Sequence, residues 1–291
     1  HRHFDAFALT QEAVFEQSMQ ALRVAPPTSQ PHARHHVLAV QQLADALLRA
    51  GAAYERDGAV WFRGAGIPER AGLEPATARE LSRAYGDDPD DTAKDDPFDV
   101  AVWRPSSAEH PAWPSPWGWG RPGWHAECAA MALTAHGASV DVLVGGEDLR
   151  FPHHAYQIAM AEQATGVRPF DRATMHVGEV CLSGAKMAKS SGNLVLVDDL
   201  LASWSPAVLR TLLIDRDHAS RWDYEPAGLD AAQDRLDRLY AAAGRGGTSD
   251  DALAEATGAL LDGLDVPRAL DVAEEAGGET ARRVLSLLRL A

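Results

Sequence analysis

Apolar residues recur at helical spacing through the first fifty positions. Val14, Phe15, Met19 and Leu22 mark one amphipathic helix over 11–23, and Val37, Val40, Leu43, Ala44, Leu47 and Leu48 a second over 33–49. The period then changes. Tyr54 to Phe62 brackets Asp57-Gly58, a dipeptide that accepts the positive φ of a tight hairpin, with Ala59, Val60, Trp61 and Phe62 on its far side. A short strand is expected at Ala101 to Trp103. It lies between an acidic, proline-punctuated run over 86–99 and a stretch over 104–122 dense in Pro, Gly and Trp, both of which read as ordered loops or linkers.

From residue 123 the pattern alternates. A helix over 123–136, an apolar strand from Val140 to Val144, a loop, a helix from 152 and a strand near Thr174 to Val180 make the sequence form of an α/β layer. Beyond Leu200 the chain is helical, with stretches at 206–214, 226–243, 250–264 and 279–290 separated by Gly or Pro breaks, and no internal repeat appears.

Composition narrows what such a fold is expected to bind. The 291 residues carry 42 acidic against 27 basic side chains, a net charge of -15, which disfavours a phosphate-backbone partner such as tRNA. Two cysteines, Cys128 and Cys181, are too few for a disulfide framework and suit a reducing compartment, so a cytoplasmic location is expected. No apolar run approaches the roughly 18 residues of a membrane span, and no membrane partner is expected. The start, His1-Arg2-His3-Phe4, has neither a signal-peptide pattern nor an initiator Met, as expected of a fragment, a truncated reading frame or a degenerate paralogue.

Three groups of residues could carry chemistry. Lys186-Met187-Ala188-Lys189-Ser190, followed by Ser191-Gly192-Asn193, puts two ammonium groups on a Gly-flanked loop, where they could neutralise charge on a departing pyrophosphate. A solvated lysine loop is the simpler account of that segment alone. Cys128 and His153 are expected on the ends of two helices flanking one strand, where a thiolate and an imidazole could converge on zinc; a buried thiol and a core histidine would look the same. Gly145-Gly146-Glu147-Asp148 joins strand to helix, and such a turn lets a nucleotide approach while an acid accepts from ribose hydroxyls, although an ordinary tight turn fits equally. Of Trp113, Trp117, Trp119 and Trp124, packing of a Pro-rich loop explains the first three, and Trp124, beside His125 and Cys128, is the candidate pocket wall. Cys181 reads as a buried strand thiol.

Taken in order, Gly120-Arg121-Pro122-Gly123-Trp124-His125-Ala126-Glu127-Cys128, then Phe151-Pro152-His153-His154, then the Lys-Met-Ala-Lys-Ser loop resemble the signature of cysteinyl-tRNA synthetases and their relatives. The segment Gly86-Asp87-Asp88-Pro89-Asp90, with Lys94, Asp96, Asp99, Trp113-Pro114-Ser115-Pro116-Trp117 and Gly192-Asn193-Leu194-Val195-Leu196-Val197, is closer to the mycothiol cysteine ligases. The resemblance implies activation of L-cysteine by ATP with Mg2+ to a cysteinyl adenylate, followed by transfer to the amine of glucosaminyl-inositol. It places Cys128 and His153 on zinc, Trp124 in the cysteine pocket, Gly146, Asp148, His176 and Gly178 around adenosine, and Lys186 and Lys189 on pyrophosphate.

The resemblance also implies departures. The family's first Rossmann half, with another zinc Cys and a His-x-Gly-His motif, has no counterpart here, and no Cys precedes Cys128. Gln157 stands where the tRNA synthetases carry a zinc-ligating Glu, Ala188 where the loop carries Ser, and Leu143 and Val144 where the family has a polar residue and Gly. The expected fold is α/β: the C-terminal half of a class I synthetase Rossmann domain with a connective insertion and an all-α C-terminal region. Its expected modules are a connective helix-hairpin at 1–102, the Rossmann half at 103–200 and helices at 201–291 without a full anticodon-binding domain. A tRNA acceptor, and a non-catalytic synthetase-like binding protein, are the alternatives.

Overall fold

The computed structural model describes residues 2–107 and 110–291. In chain order these form α1 (Arg2–Ala21), α2 (Val37–Arg49), β1 (Ala53–Arg56), β2 (Ala59–Phe62), α3 (Ile67–Arg70), α4 (Pro75–Ala84), β3 (Val100–Pro105), β4 (Gly120–Pro122), α5 (Trp124–His136), β5 (Val140–Gly146) and α6 (Ala155–Thr165). There follow β6 (Asp171–Val177), β7 (Val180–Leu182), β8 (Ala185–Lys186), α7 (Val197–Leu201), α8 (Pro206–Ile214), β9 (Trp222–Asp223), α9 (Ala227–Ala243), α10 (Asp250–Leu261), α11 (Val266–Ala276) and α12 (Gly278–Leu287). They pack as two compact units, one of residues 27–176 and one of residues 1–26 with 177–291.

In the first unit α2 buries Val40, Leu43, Ala44 and Leu47, the i, i+3, i+4, i+7 set its spacing predicts. The stripe shares a core with Phe62, Val102 and Trp103 from the sheet, and with Ala126, Ala129, Tyr156 and Met160 from α5 and α6. The sheet runs β1-β2-β3-β4, antiparallel throughout. Its first turn is the Asp-Gly hairpin, with φ of 53° at Asp57 and 75° at Gly58. Because β3 pairs with both β2 and β4, residue 102 lies in the middle of a sheet, so compact packing divides this chain elsewhere than the modules expected from resemblance. The acidic run is ordered by its own carboxylates. Asp99, 1% exposed, accepts from Tyr54 Oη at 2.7 Å, Gly64 N at 2.8 Å and Asp96 N at 3.0 Å.

The α/β layer of this unit is a two-stranded sheet of β5 and β6. Val140 N donates to Phe170 O, and Arg172 meets Asp141, so the strands start side by side. Asp141, Val142 and Val144 on β5 are exposed.

The second unit is a helical bundle. Val208, Leu236, Leu239, Leu270 and Leu285 bring α8, α9, α11 and α12 onto one core. Ser205, Ser249 and Asp265 cap α8, α10 and α11 by accepting from backbone N–H groups three residues on. A small sheet, β8-β7-β9, sits beside the helices in sequence, β7 pairing antiparallel with β8 and parallel with β9. Among the described residues no helix is long and apolar enough to cross a membrane.

Candidate functional site

The first cluster forms where α5 begins. Gly123 N–H is bound by Val102 O at 2.8 Å, which fixes the entry of α5 on the sheet. Residues 124, 125 and 128 then share one helical face. Trp124 keeps 48% of its surface exposed and lays its ring on two imidazoles, 5.7 Å from His125 at 22° and 4.9 Å from His153 at 35°. His125 Nδ1 and His153 Nδ1 are 3.0 Å apart, and Tyr156 stacks on the other side of His125 at 5.3 Å. One Nδ1 donates and the other accepts, so this contact fixes opposite tautomers in the pair. Burial, then the neighbouring His153 and Arg104, pushes His125 down to about 3. Burial and His154 push His153 down to about 4, so both rings are neutral near pH 7, the form that ligates a metal.

Cys128, one turn along α5, is half-buried; burial and then Glu127 push its thiol up to about 11. It lines a cavity of about 670 Å³ with Met131, Val142, Leu143 and Gln157. Among the described residues no group of three or more His, Cys, Asp or Glu side chains is placed to hold a metal ion. Cys128 and His153 therefore do not by themselves make the closed tetrahedral set of a zinc site.

The second cluster gathers at the carboxyl ends of β5 and β6, where open α/β sheets take ligands. Gly146 ends β5, Asp148 follows in a short 3-10 turn, and His176 is the penultimate residue of β6. His176 Nε2 is 3.0 Å from His154 Nδ1. A Cβ on Gly145 would come within 2.5 Å of the His154 ring, so the glycine lets the strand end pass over that imidazole. His154 and His176, with Arg70, Arg150 and Thr174, line a second cavity of about 250 Å³. Arg70 and Arg150 are already paired with Glu162 and Glu147, and burial holds both histidines below their ordinary range. The cavity is polar without being strongly cationic.

Gly178, Lys186 and Lys189 belong to the other unit. Gly178 N donates to His218 O, and a Cβ there would run into the Ser220 backbone; close packing alone accounts for this glycine. Cys181 is fully buried on β7, its sulfur accepting from Arg221 Nε. The lysine loop is clamped by Asn193, whose Oδ1 accepts from Ala188 N at 2.9 Å and whose Nδ2 donates to Lys186 O at 3.0 Å. Lys186 Nζ lies 2.9 Å from Glu179 Oε1, and Lys189 opens a 3-10 turn closed by Gly192 at φ 64°.

The structure thus brings together Trp124 with His153, and His176 with His154, while Cys128 lines a separate cavity. Reasoning from sequence quoted His125, His154 and Asn193 within motifs without giving them a role, and missed Glu179. Two signals were available. Histidine stands next to a candidate at Trp124 and at His153, and the whole chain contains three lysines, of which two are in one loop.

This architecture is that of a class I nucleotide-dependent synthetase. It is similar to the crystal structure of Mycobacterium tuberculosis methionyl-tRNA synthetase bound by methionyl-adenylate, with a TM-score of 0.62 at 16% identity over 97% of this chain and 71% of that one, a likeness of fold alone. The chain belongs to the family described as tRNA synthetases class I (C) catalytic domain, whose model matches residues 1–234. It is 41% identical over 278 residues to the L-cysteine:1D-myo-inositol 2-amino-2-deoxy-alpha-D-glucopyranoside ligase of Acidothermus cellulolyticus, covering 94% of this chain and 69% of that protein. With the ligase of the same name from Mycolicibacterium gilvum the identity is 41%, covering 88% of this chain and 60% of that protein. With the cysteine--tRNA ligase of Xanthomonas euvesicatoria it is 38%, over 89% and 57%. The chain spans between 57% and 69% of the length of these three relatives.

Proposed function

We propose that this chain takes part in ATP-dependent activation of L-cysteine to cysteinyl adenylate, with transfer to the amine of glucosaminyl-inositol to form an amide. The observation that carries the reading is the Trp124–His125–His153 cluster. It presents a flat, half-exposed aromatic wall beside neutral imidazoles, one helical turn from a thiol, at the start of a helix anchored on a sheet. The net charge of -15 favours a small amino-sugar acceptor over tRNA.

In this reading Trp124 covers the cysteine side chain, and Cys128 and His153 are the zinc ligands this chain contributes. Zinc, when bound, would select a thiolate over a hydroxyl, a choice that a hydrophobic pocket makes poorly. His125 holds the His153 ring in one tautomer. Gly146, Asp148 and His176 frame adenosine at the strand ends; Gly178 is assigned there by resemblance. Lys186 and Lys189 neutralise the polyphosphate, carried with Mg2+, as pyrophosphate leaves.

The test is cysteine-dependent exchange of labelled pyrophosphate into ATP, with zinc and magnesium present and serine as the control amino acid. Exchange with cysteine but not serine supports the reading, and glucosaminyl-inositol against tRNA as acceptor then decides the second step. No exchange, together with no binding of a non-hydrolysable cysteinyl-adenylate analogue, overturns it in favour of a non-catalytic relative.

A further inference from the structure

Glu179 follows Gly178 and lies outside every motif considered above. Its Oε1 is 2.9 Å from Lys186 Nζ, with the carboxylate side chain 22% exposed and the lysine side chain 42%. The Lys186 backbone is held from two directions. On one side it pairs with Cys181 across the β7–β8 hairpin, and Met187 N donates to Val180 O; on the other, Asn193 Nδ2 donates to Lys186 O. The hairpin turn is itself pinned, since Gly184 N donates to Asp223 Oδ1 and Gly184 O accepts from Arg221 Nη2. The Lys186 side chain is turned back onto Glu179.

Lys189 differs. Among the described residues no carboxylate lies within ion-pairing distance of it, although it is three positions away on the same loop. The chain otherwise uses arginine for its cations; its third lysine, Lys94, has a side chain only 2% exposed and pairs with Asp87. A lysine ammonium is a compact charge that exchanges partners readily, where a guanidinium locks onto a carboxylate with two parallel bonds. A Lys–Glu contact therefore suits a pair that has to open.

We propose that Glu179 is a positioning residue that parks the Lys186 ammonium on the hairpin until a polyphosphate displaces the carboxylate. Lys189 is then the first cation the polyphosphate meets and Lys186 the second. Resting on the functional reading above, this order makes the Lys186 contact one gained after initial binding, the kind that favours the transition state over the ground state. Removing the carboxylate lets Lys186 bind the ground state directly, so Glu179→Gln lowers KM for ATP without raising kcat.

The experiment is competitive acylation of the whole chain with an amine reagent, read at each lysine by fragment-ion mass spectrometry. In the unsubstituted protein Lys186 reacts more slowly than Lys189, and Glu179→Gln speeds Lys186 about two- to fivefold, the range of a partly exposed ion pair, while Lys189 stays constant. Lys94 reports folding, because its labelling rises only if the buried pair opens. Glu179→Asp, which shortens the carboxylate but keeps its charge, gives a smaller increase in the same direction. An unchanged Lys186 rate in Glu179→Gln overturns the proposal. In a second arm, inorganic pyrophosphate protects both loop lysines, at lower concentration in Glu179→Gln than in the unsubstituted protein; equal midpoints overturn the exchange of partners. Protection in neither protein would count against the polyphosphate role of the loop, while the rate comparison without ligand still decides the Glu179 contact.

Discussion

Removing the carboxylate of Glu162 tests what holds α6, and so the turn carrying His153 and His154, in place. Glu162 is 2% exposed near the end of α6. It accepts from Arg70 Nη1 at 2.6 Å and Nη2 at 2.9 Å, from Phe170 N at 3.2 Å, and lies 3.8 Å from Arg168 Nε. Hydrogen bonds involving a charged group contribute about 1.5–3 kcal/mol each. Arg70 and Arg168 are 48% and 60% exposed and regain water when the carboxylate goes, which puts the loss at the low end. Glu162→Gln keeps an acceptor for Phe170 N–H and should cost about 2 kcal/mol. Glu162→Ala also orphans that buried N–H and leaves a void, for about 3–4 kcal/mol.

Urea unfolding followed by tryptophan fluorescence measures both, and its pH dependence checks the cause. Burial alone would raise the Glu162 carboxyl; the Arg70 hydrogen bonds, the Phe170 N–H and the two arginine charges outweigh it and hold the group below its ordinary 4.5. A carboxyl with a depressed folded value stabilises fully above the unfolded value and loses that contribution as pH falls through the folded one. The gap between the unsubstituted protein and Glu162→Gln should therefore be constant from pH 7 to about 5 and shrink below about 4.5. A gap under about 0.5 kcal/mol at pH 7, the size of an ordinary surface change, or one that widens on acidification, would refute the reasoning.

Three further outcomes follow from the candidate site. Lys186→Ala should lower kcat for pyrophosphate exchange by about 10²–10³-fold with little change in KM for cysteine, as expected for a charge used late in the reaction. Trp124→Ala should raise KM for cysteine about tenfold while leaving unfolding free energy within about 1 kcal/mol, because the ring is half exposed; a large stability loss would make it a packing residue. Cobalt added in place of zinc should give a thiolate-to-metal absorption band that Cys128→Ser abolishes; a band that persists removes Cys128 from the ligand set.

The elements legible in the sequence are those whose own pattern decides them. The α2 stripe, the Asp57-Gly58 hairpin, the Val140 strand and the α8 and α9 helices lie within a few residues of their expected limits. The short strand β4 did not announce itself, because Gly120-Arg121-Pro122 has no strand propensity and pairs only where Trp103 to Pro105 offers an edge. Helix α4 was missed for a related reason: it buries only Ala78 and Ser82, too sparse a stripe to register. At the candidate site, Trp124, His153 and the two lysines were named within motifs, and His176 from the resemblance alone. Their partners His125, His154 and Asn193 stood in those motifs without a role, and Glu179 was not named at all, because each acts through a contact made by folding, such as the hairpin that returns Lys186 to Glu179. A motif identifies the side chain that meets a ligand and says little about the one that orients it.

The open strand β5 governs how this polypeptide behaves in a tube. Among the described residues β6 alone pairs with it, and with Val142 and Val144 at 53% and 54% exposure it offers peptide groups and apolar side chains to any extended chain it encounters. Such an edge recruits neighbours as concentration rises, and without a charged gatekeeper at 142 or 144 nothing on that strand discourages stacking except Asp141. Preparations of the chain by itself would keep best when dilute, and a lysine at position 142 is the substitution that would make concentrated ones tractable.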